Sequence, residues 1–251
     1  GIFLFFLVGI CEWLDLRGTV SVNAVIATHF MTVRDFSVEF VCNELLLVLL
    51  GVTIAFVLNL FQGNRTYQKM IIENMRYTEQ QLQEILEKLA LYLEGESLES
   101  SVWDEIIAFE KELRGFVEQA WEYQNNTWHF HPGYYIDYFE MRLKQYGILH
   151  SLHYEIKKIR TIPAYAAVVA DYIRYMKQYV VEMNRPDSQI QRLHGIIEGM
   201  KQEELPKSWE LFEGKAKIYH ILMDLEEFLI CKKRFVEGLD EKKLRIYWNR
   251  E

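Results

Sequence analysis

Ionisable or hydrogen-bonding side chains inside apolar stretches are the first residues to suggest chemistry in this chain. Glu44 opens the uncharged run Leu45–Phe61, Asn43 precedes it and Asn59 lies near its end. Asn23 and His29 lie in a second uncharged run, Gly18–Val33, held between Arg17 and Arg34. A carboxylate or imidazole at membrane depth is costly unless it is paired, and such groups mark proton or substrate paths. Asn side chains there hydrogen-bond across helices. Glu44, His29, Asn23, Asn43 and Asn59 are therefore the candidate residues of a substrate or proton pathway. Two plainer roles stand beside this one: Glu44 placed at the interface, and His29 in a helix-packing hydrogen bond.

Other chemistries find less support. There is no phosphate loop, nucleophile elbow or dinucleotide fingerprint. None of the seven histidines has a Glu three residues before it, so the Glu-x-x-His pattern of di-iron bundles is absent. His129 and His131, and His150 and His153, are closely spaced pairs, but a metal needs more ligands than two. Capping and core roles suit them better. The three cysteines, Cys11, Cys42 and Cys231, have neither metal nor redox spacing. The adjacent carboxylates Glu203 and Glu204, or Glu226 and Glu227, do not share a helix face and so do not form an acid–base pair. The expectation is no catalytic residues, no metal and no cofactor.

The elements that position the candidate residues follow from composition. The first 61 residues hold five acidic and two basic side chains, leaving 31 acidic and 26 basic among the other 190. This step marks a boundary near Gln62–Arg65 and divides the chain into residues 1–61 and 62–251. Leu45–Phe61, extended through Phe40–Asn43, reaches the roughly 20 residues that a bilayer span needs. With Gly1–Cys11 and Gly18–Val33 it makes about three membrane segments. The absence of an initiator Met, in the middle of an apolar run, suggests further segments upstream. Arg65 and Lys69 follow the last span, whereas Asp35, Glu39 and Glu44 precede it. Basic flanks stay in the cytoplasm, which places residues 62–251 there.

From Tyr67 onward the apolar spacing is helical. Leu82, Ile85, Leu86, Leu89 and Leu93 mark one helix that stops at Gly95 and Ser97, and Ile106, Phe109, Leu113, Phe116 and Val117 mark the next. Pro132 suits the first turn of a third, which carries Tyr135, Phe139, Leu143, Tyr146, Leu149, Leu152, Ile156 and Ile159. Pro163 and Pro186 mark further starts, and Ile162–Ala170 is a buried helix face. Ser208 is a helix N-cap with Glu210 in the first turn, and that last long helix runs to about Val236. Five or six helices with short links make a bundle. The many tyrosines, including Tyr134, Tyr138 and Tyr172, read either as a pocket for an aromatic ligand or, the favoured expectation, as core packing with polar tips at the surface. Lys232, Lys233 and Arg234 read as the solvated end of a helix, and the net charge of −8 argues against nucleic acid as a partner. The fold class is all-α: closing membrane helices followed by a cytoplasmic bundle.

Three segments resemble one family. Asn43-Glu44-Leu45-Leu46-Leu47-Val48-Leu49-Leu50-Gly51, running to Asn59-Leu60, resembles the last membrane helix of the bacterial aromatic acid exporter family. Val20–Phe30, ending in Ala27-Thr28-His29, resembles the segment before it. Tyr138-Phe139-Glu140-Met141-Arg142-Leu143-Lys144-Gln145-Tyr146 is similar to the C-terminal domain that accompanies one branch, mostly in Firmicutes. So is Leu205-Pro206-Lys207-Ser208, through Phe212-Glu213 to Leu225-Glu226-Glu227-Phe228-Leu229. The resemblance implies a multi-pass protein of the bacterial inner membrane that exports small organic acids, aromatic carboxylic acids among them. With no nucleotide site in the sequence, gradient-driven coupling is the simplest expectation, and a homo-oligomer is expected. The resemblance supplies no catalytic residues. A membrane-anchored helical scaffold or ligand sensor is the alternative.

Overall fold

A computed structural model of the 251-residue chain describes residues 29, 32–33, 37–96, 101–125, 127, 133–157, 159, 163 and 165–248; the side chains at 55, 56, 58–65 and 101–105 are outside that description. Every element among the described residues is helical, and no strand occurs among them. The helices are α1 (Val38–Leu93), α2 (Ser101–Asn125), α3 (Gly133–Lys157), α4 (Ala166–Lys177), α5 (Asp187–Gln202), α6 (Trp209–Glu237) and α7 (Glu241–Trp248). The chain forms two compact units, Gly1–Phe61 and Gln62–Glu251.

In the first unit, the N-terminal part of α1 presents exposed Leu45, Leu46, Leu47, Leu49, Leu50, Val52 and Ile54. Ser37 caps its start, its Oγ accepting from the Phe40 amide at 3.3 Å. Among the described residues, no helix is long and apolar enough to cross a membrane. The described side chains of the Leu45–Phe61 run end at Ile54, with Val57 beyond, so they span less than the full apolar stretch.

The sequence reading separates a span ending at Phe61 from a helix beginning near Tyr67. α1 instead continues unbroken from Val38 to Leu93. Gln62, Asn64, Arg65 and Thr66 are tolerated inside a helix, and no proline interrupts it. The helix stops at Gly95, whose φ of 92° is readily adopted only without a Cβ. The Glu96 amide reaches the Leu91 carbonyl at 3.2 Å and the Gly95 amide reaches Tyr92 at 3.1 Å, the paired bonds that close a helix C-terminus.

The second unit is built around α3. This helix is buried on most of its circumference, through Tyr134, Tyr135, Tyr138, Phe139, Arg142, Tyr146, Leu149, Leu152 and Ile156. It packs on α2 and α6, and α6 in turn packs on α4 and α5. The predicted apolar faces are inside: Leu82, Ile85, Leu86, Leu89 and Leu93 of α1, and Ile106, Phe109 and Leu113 of α2. Surface pairs join the helices. Tyr67 donates to Glu122 at 2.6 Å, Asn74 to Gln119 at 2.9 Å and Tyr77 to Glu112 at 2.8 Å, all between α1 and α2. Arg174 and Lys177 of α4 hold Glu87 of α1 at 3.1 and 2.6 Å. Ser208 caps α6, its hydroxyl accepting from the Leu211 amide at 3.2 Å, with Glu210 in the first turn.

Two readings are corrected by the packing. Lys232 is not at a solvated helix end: it is 3% exposed, whereas Lys233 and Arg234 do face solvent. Tyr134, Tyr138 and Tyr172 carry their hydroxyls into the core instead of to the surface.

Candidate functional sites

The first unit brings two of the five candidate pathway residues together. His29 Nδ1 lies 3.4 Å from Glu44 Oε2, with the imidazole half exposed and the carboxylate 15% exposed. Glu44 and Phe40 are one turn apart on α1, so they share a face. The Phe40 ring accordingly lies 6.1 Å from the His29 ring. The two side chains are within ion-pairing distance of one another. Asn43 is exposed on α1 and is not part of this pair. Asn59 is within α1 but its side chain lies outside the described residues, as does all of Asn23.

The second unit holds a cluster of buried charge. Glu79 of α1 accepts from Arg76 at 2.8 Å, from Tyr138 at 2.9 Å and from Arg142 at 3.3 Å. Arg142, 1% exposed, also donates to the Tyr138 hydroxyl at 3.1 Å and to Gln145 at 2.9 Å. Glu182, in the segment between α4 and α5, accepts from Arg76 and from Tyr134, both at 2.6 Å. Lys232 of α6 donates to the Glu182 carbonyl at 2.5 Å and lies over the Phe235 and Trp248 rings at 5.1 and 5.7 Å. Trp248 of α7 donates its indole N–H to the Tyr134 hydroxyl at 3.2 Å.

The electrostatics follow from this geometry. Burial, reinforced by the Arg142 charge, drives the Lys232 amine well below the usual lysine range, against the opposing pull of Glu79 and Glu182. Burial and the Glu182 charge keep the Tyr134 hydroxyl protonated, so it remains a donor to that carboxylate. Each carboxylate is paired and hydrogen-bonded, the condition under which buried charge is tolerated.

The sequence reading names several of these residues for other reasons and does not join them into a buried polar cluster. Their signal is the series Tyr134, Tyr138, Arg142 and Gln145 at helical spacing, which places polar atoms along the face of α3 that also buries Phe139 and Leu149. His153 is buried, and burial, followed by the nearby Lys157 and His150, lowers its pKa to about 4. Among the described residues, no group of three or more His, Cys, Asp or Glu side chains could hold a metal ion.

Comparison with known proteins agrees with the resemblance in the sequence. Residues 1–62 match the family model "Aromatic acid exporter family member 1", and residues 68–233 match "Putative aromatic acid exporter C-terminal domain". The chain is 23% identical over 250 residues to "Uncharacterized protein YqjA" of Bacillus subtilis (strain 168), covering 97% of this chain and 74% of that protein. A solved structure, "Crystal structure of putative membrane protein from Clostridium difficile 630", matches with a TM-score of 0.60 at 17% identity. That match covers 67% of this chain and 98% of the other, which establishes a shared helical fold. The two family matches together account for most of the sequence, and the chain belongs to the aromatic acid exporter family, in the branch that carries the C-terminal domain.

Proposed function

We propose that this protein is a gradient-driven membrane exporter of small organic, aromatic carboxylic acids, with residues 62–251 as a cytoplasmic domain of regulatory or assembly role. One observation carries the reading beyond family membership: His29 and Glu44, from two separate charge-poor segments, lie 3.4 Å apart. In this reading Gly1–Phe61 supplies about three segments of a multi-pass protein of the bacterial cell membrane. Leu45–Ile54 contacts lipid, and Glu44 with His29 passes the proton or meets the acid. Asn23, Asn43 and Asn59 hydrogen-bond within the membrane bundle, and the protein works as a homo-oligomer. Coupling to the proton gradient is the simplest drive, since no nucleotide-binding motif occurs in the sequence. Reconstitution of the whole protein into liposomes tests the reading: an imposed pH gradient moves labelled benzoate if the proposal holds. If no organic anion in a broad panel moves, the proposal fails.

A second reading, a membrane-anchored scaffold, draws on one surface feature. Leu205, Trp209, Leu211 and Phe212 stand exposed around the start of α6, with the Trp209 and Phe212 rings 5.3 Å apart. A protein partner captured stoichiometrically by the intact chain, and lost in Trp209→Ala, would favour it.

A further inference from the structure

We propose that the N-terminal half of α6 carries a docking stripe for a second copy of this chain, the two α6 helices packing antiparallel across Ala216. A second copy rests on the homo-oligomer in the proposed function; the surface itself rests on α6.

α6 is apolar on two sides. One side, with Gly214, Ile218, Ile221, Leu222, Leu225 and Phe228, is buried in the second unit. The other, with Trp209, Phe212, Ala216, Tyr219 and Met223, is exposed. Single exposed apolar residues are ordinary on a protein surface. These five recur at alternating steps of three and four, the spacing of a seam between two helices. Residues 209–213 are all exposed and Gly214 is the first buried one, so the helix starts clear of the bundle.

The exposed area suits a dimer. Trp209 is 78% exposed, Phe212 50%, Met223 40% and Tyr219 39%, and Leu205 stands open beside the helix start. Scaled to large side chains that bury roughly 150–250 Å² each, these five expose on the order of 600 Å² per chain. Two copies then bury about 1,200 Å², the lower edge of the range for a specific complex.

Charge selects the occupant. Lys201, Lys207, Lys215 and Lys217 surround the stripe, and each is paired with a glutamate, Glu198, Glu204, Glu203 and Glu213 respectively. These four lysines therefore leave no excess of positive charge, which is what an anionic lipid surface attracts. A second copy needs no such excess. In an antiparallel pair Phe212 of one copy meets Met223 of the other, and Ala216 meets Tyr219, small against large. Glu213 and His220 lie seven positions apart on one flank, so each faces the other across the seam, twice over by symmetry. An acid thus meets an imidazole and not a second acid.

Disulfide trapping in the whole purified protein tests the stripe, with Cys11→Ser, Cys42→Ser and Cys231→Ser removing the native thiols. Ala216→Cys lies near the two-fold axis and should give an inter-chain disulfide in most of the protein. Met223→Cys should give little, since in this pairing its own copy is displaced by about 16 Å along the axis at 1.5 Å per residue. Adding Trp209→Glu to Ala216→Cys should cut the cross-linked fraction about tenfold, as loss of a central aromatic anchor does. His220→Glu should cut it severalfold, and Glu213→His in the same chain should restore it. All the α6 sites substituted are exposed, so the core of the second unit is kept. Cross-linking at both cysteines, as a parallel pair gives, overturns the proposal, and so does cross-linking at neither. A disulfide that survives Trp209→Glu overturns it as well. An oligomer by light scattering whose Ala216→Cys stays uncross-linked joins its copies elsewhere: the stripe falls and the homo-oligomer stands. A monomer removes both. A different protein or lipid covering Trp209, with no inter-chain disulfide, also overturns the proposal.

Discussion

The two units treat their ionisable groups in opposite ways. In the first, Glu44 and His29 meet at 3.4 Å, partly open to the surroundings, in a segment with few other charges. In the second, Glu79, Glu182, Arg142 and Lys232 are nearly sealed from solvent and bound into one network with Tyr134, Tyr138 and Gln145. A partly exposed pair can lose a partner at little cost, because water replaces it. A network in which each member satisfies another resists such change, because losing one partner leaves a buried charge uncompensated. The contrast separates an accessible pair from a network that ties helices together.

Breaking the network should give the largest effect. Glu79→Ala leaves Arg142 buried without its carboxylate and should cost about 3–5 kcal/mol of stability, read as a lower denaturant midpoint. Removing the corresponding carboxylate from the exposed pair, Glu44→Gln, should change stability by roughly 0–1 kcal/mol. Comparable losses from the two substitutions would erase the distinction.

Acid titration probes the second unit alone. His153 has a pKa of about 4 in the folded protein, below that of an unfolded histidine. Between the two values the unfolded chain binds the extra proton, so stability is complete above the unfolded pKa and falls as pH drops toward 4. The loss is on the order of 3 kcal/mol across that window. His153→Phe should flatten this part of the stability–pH curve. An unchanged slope in the variant would show that another group titrates there.

Lys232 sharpens the comparison further. Its folded pKa is lowered, so the unfolded chain binds more protons between that value and the ordinary lysine pKa, and stability rises with pH through this window. Lys232→Met should remove the rise and be neutral or stabilising at neutral pH, since a buried charge gives way to an apolar chain of similar length. Its neighbour Lys233, paired with Asp187 at 3.1 Å on the surface, gives the smallest effect: Lys233→Ala should fall within about 0.5 kcal/mol of the parent. Equal responses at 232 and 233 would contradict the burial assigned to them.

Adjacent residues with opposite environments show where sequence reasoning reaches its limit. Helical periodicity identified the inward faces of α1 and α2, and the Ser208 cap located the start of α6, because those signals are local. Lys232 follows the same periodicity, but its charge suggests solvent, and only the packing of α6 against Phe235, Trp248 and the Glu182 carbonyl buries it. The inward tyrosine hydroxyls were missed for the same reason: Tyr138 meets Glu79 across 59 positions of sequence. α7 was missed because eight residues rich in Glu, Lys and Arg carry too short an apolar pattern; Tyr247 is its single fully buried side chain. At the candidate pathway, polarity within apolar runs drew attention to His29 and Glu44 separately, and their 3.4 Å contact required the fold. The unbroken course of α1 past Phe61 was hidden by the change in composition, which alters what surrounds a helix without ending it.

The central claim is that Glu44, held against His29, lies on an export path for aromatic acids. The direct measurement is efflux of labelled benzoate from cells carrying the whole protein, beside cells carrying Glu44→Gln at equal expression. The account predicts faster efflux with the parent protein and its loss with Glu44→Gln. Efflux that is equally fast in the variant would contradict the role given to Glu44, and no efflux from either would contradict export itself.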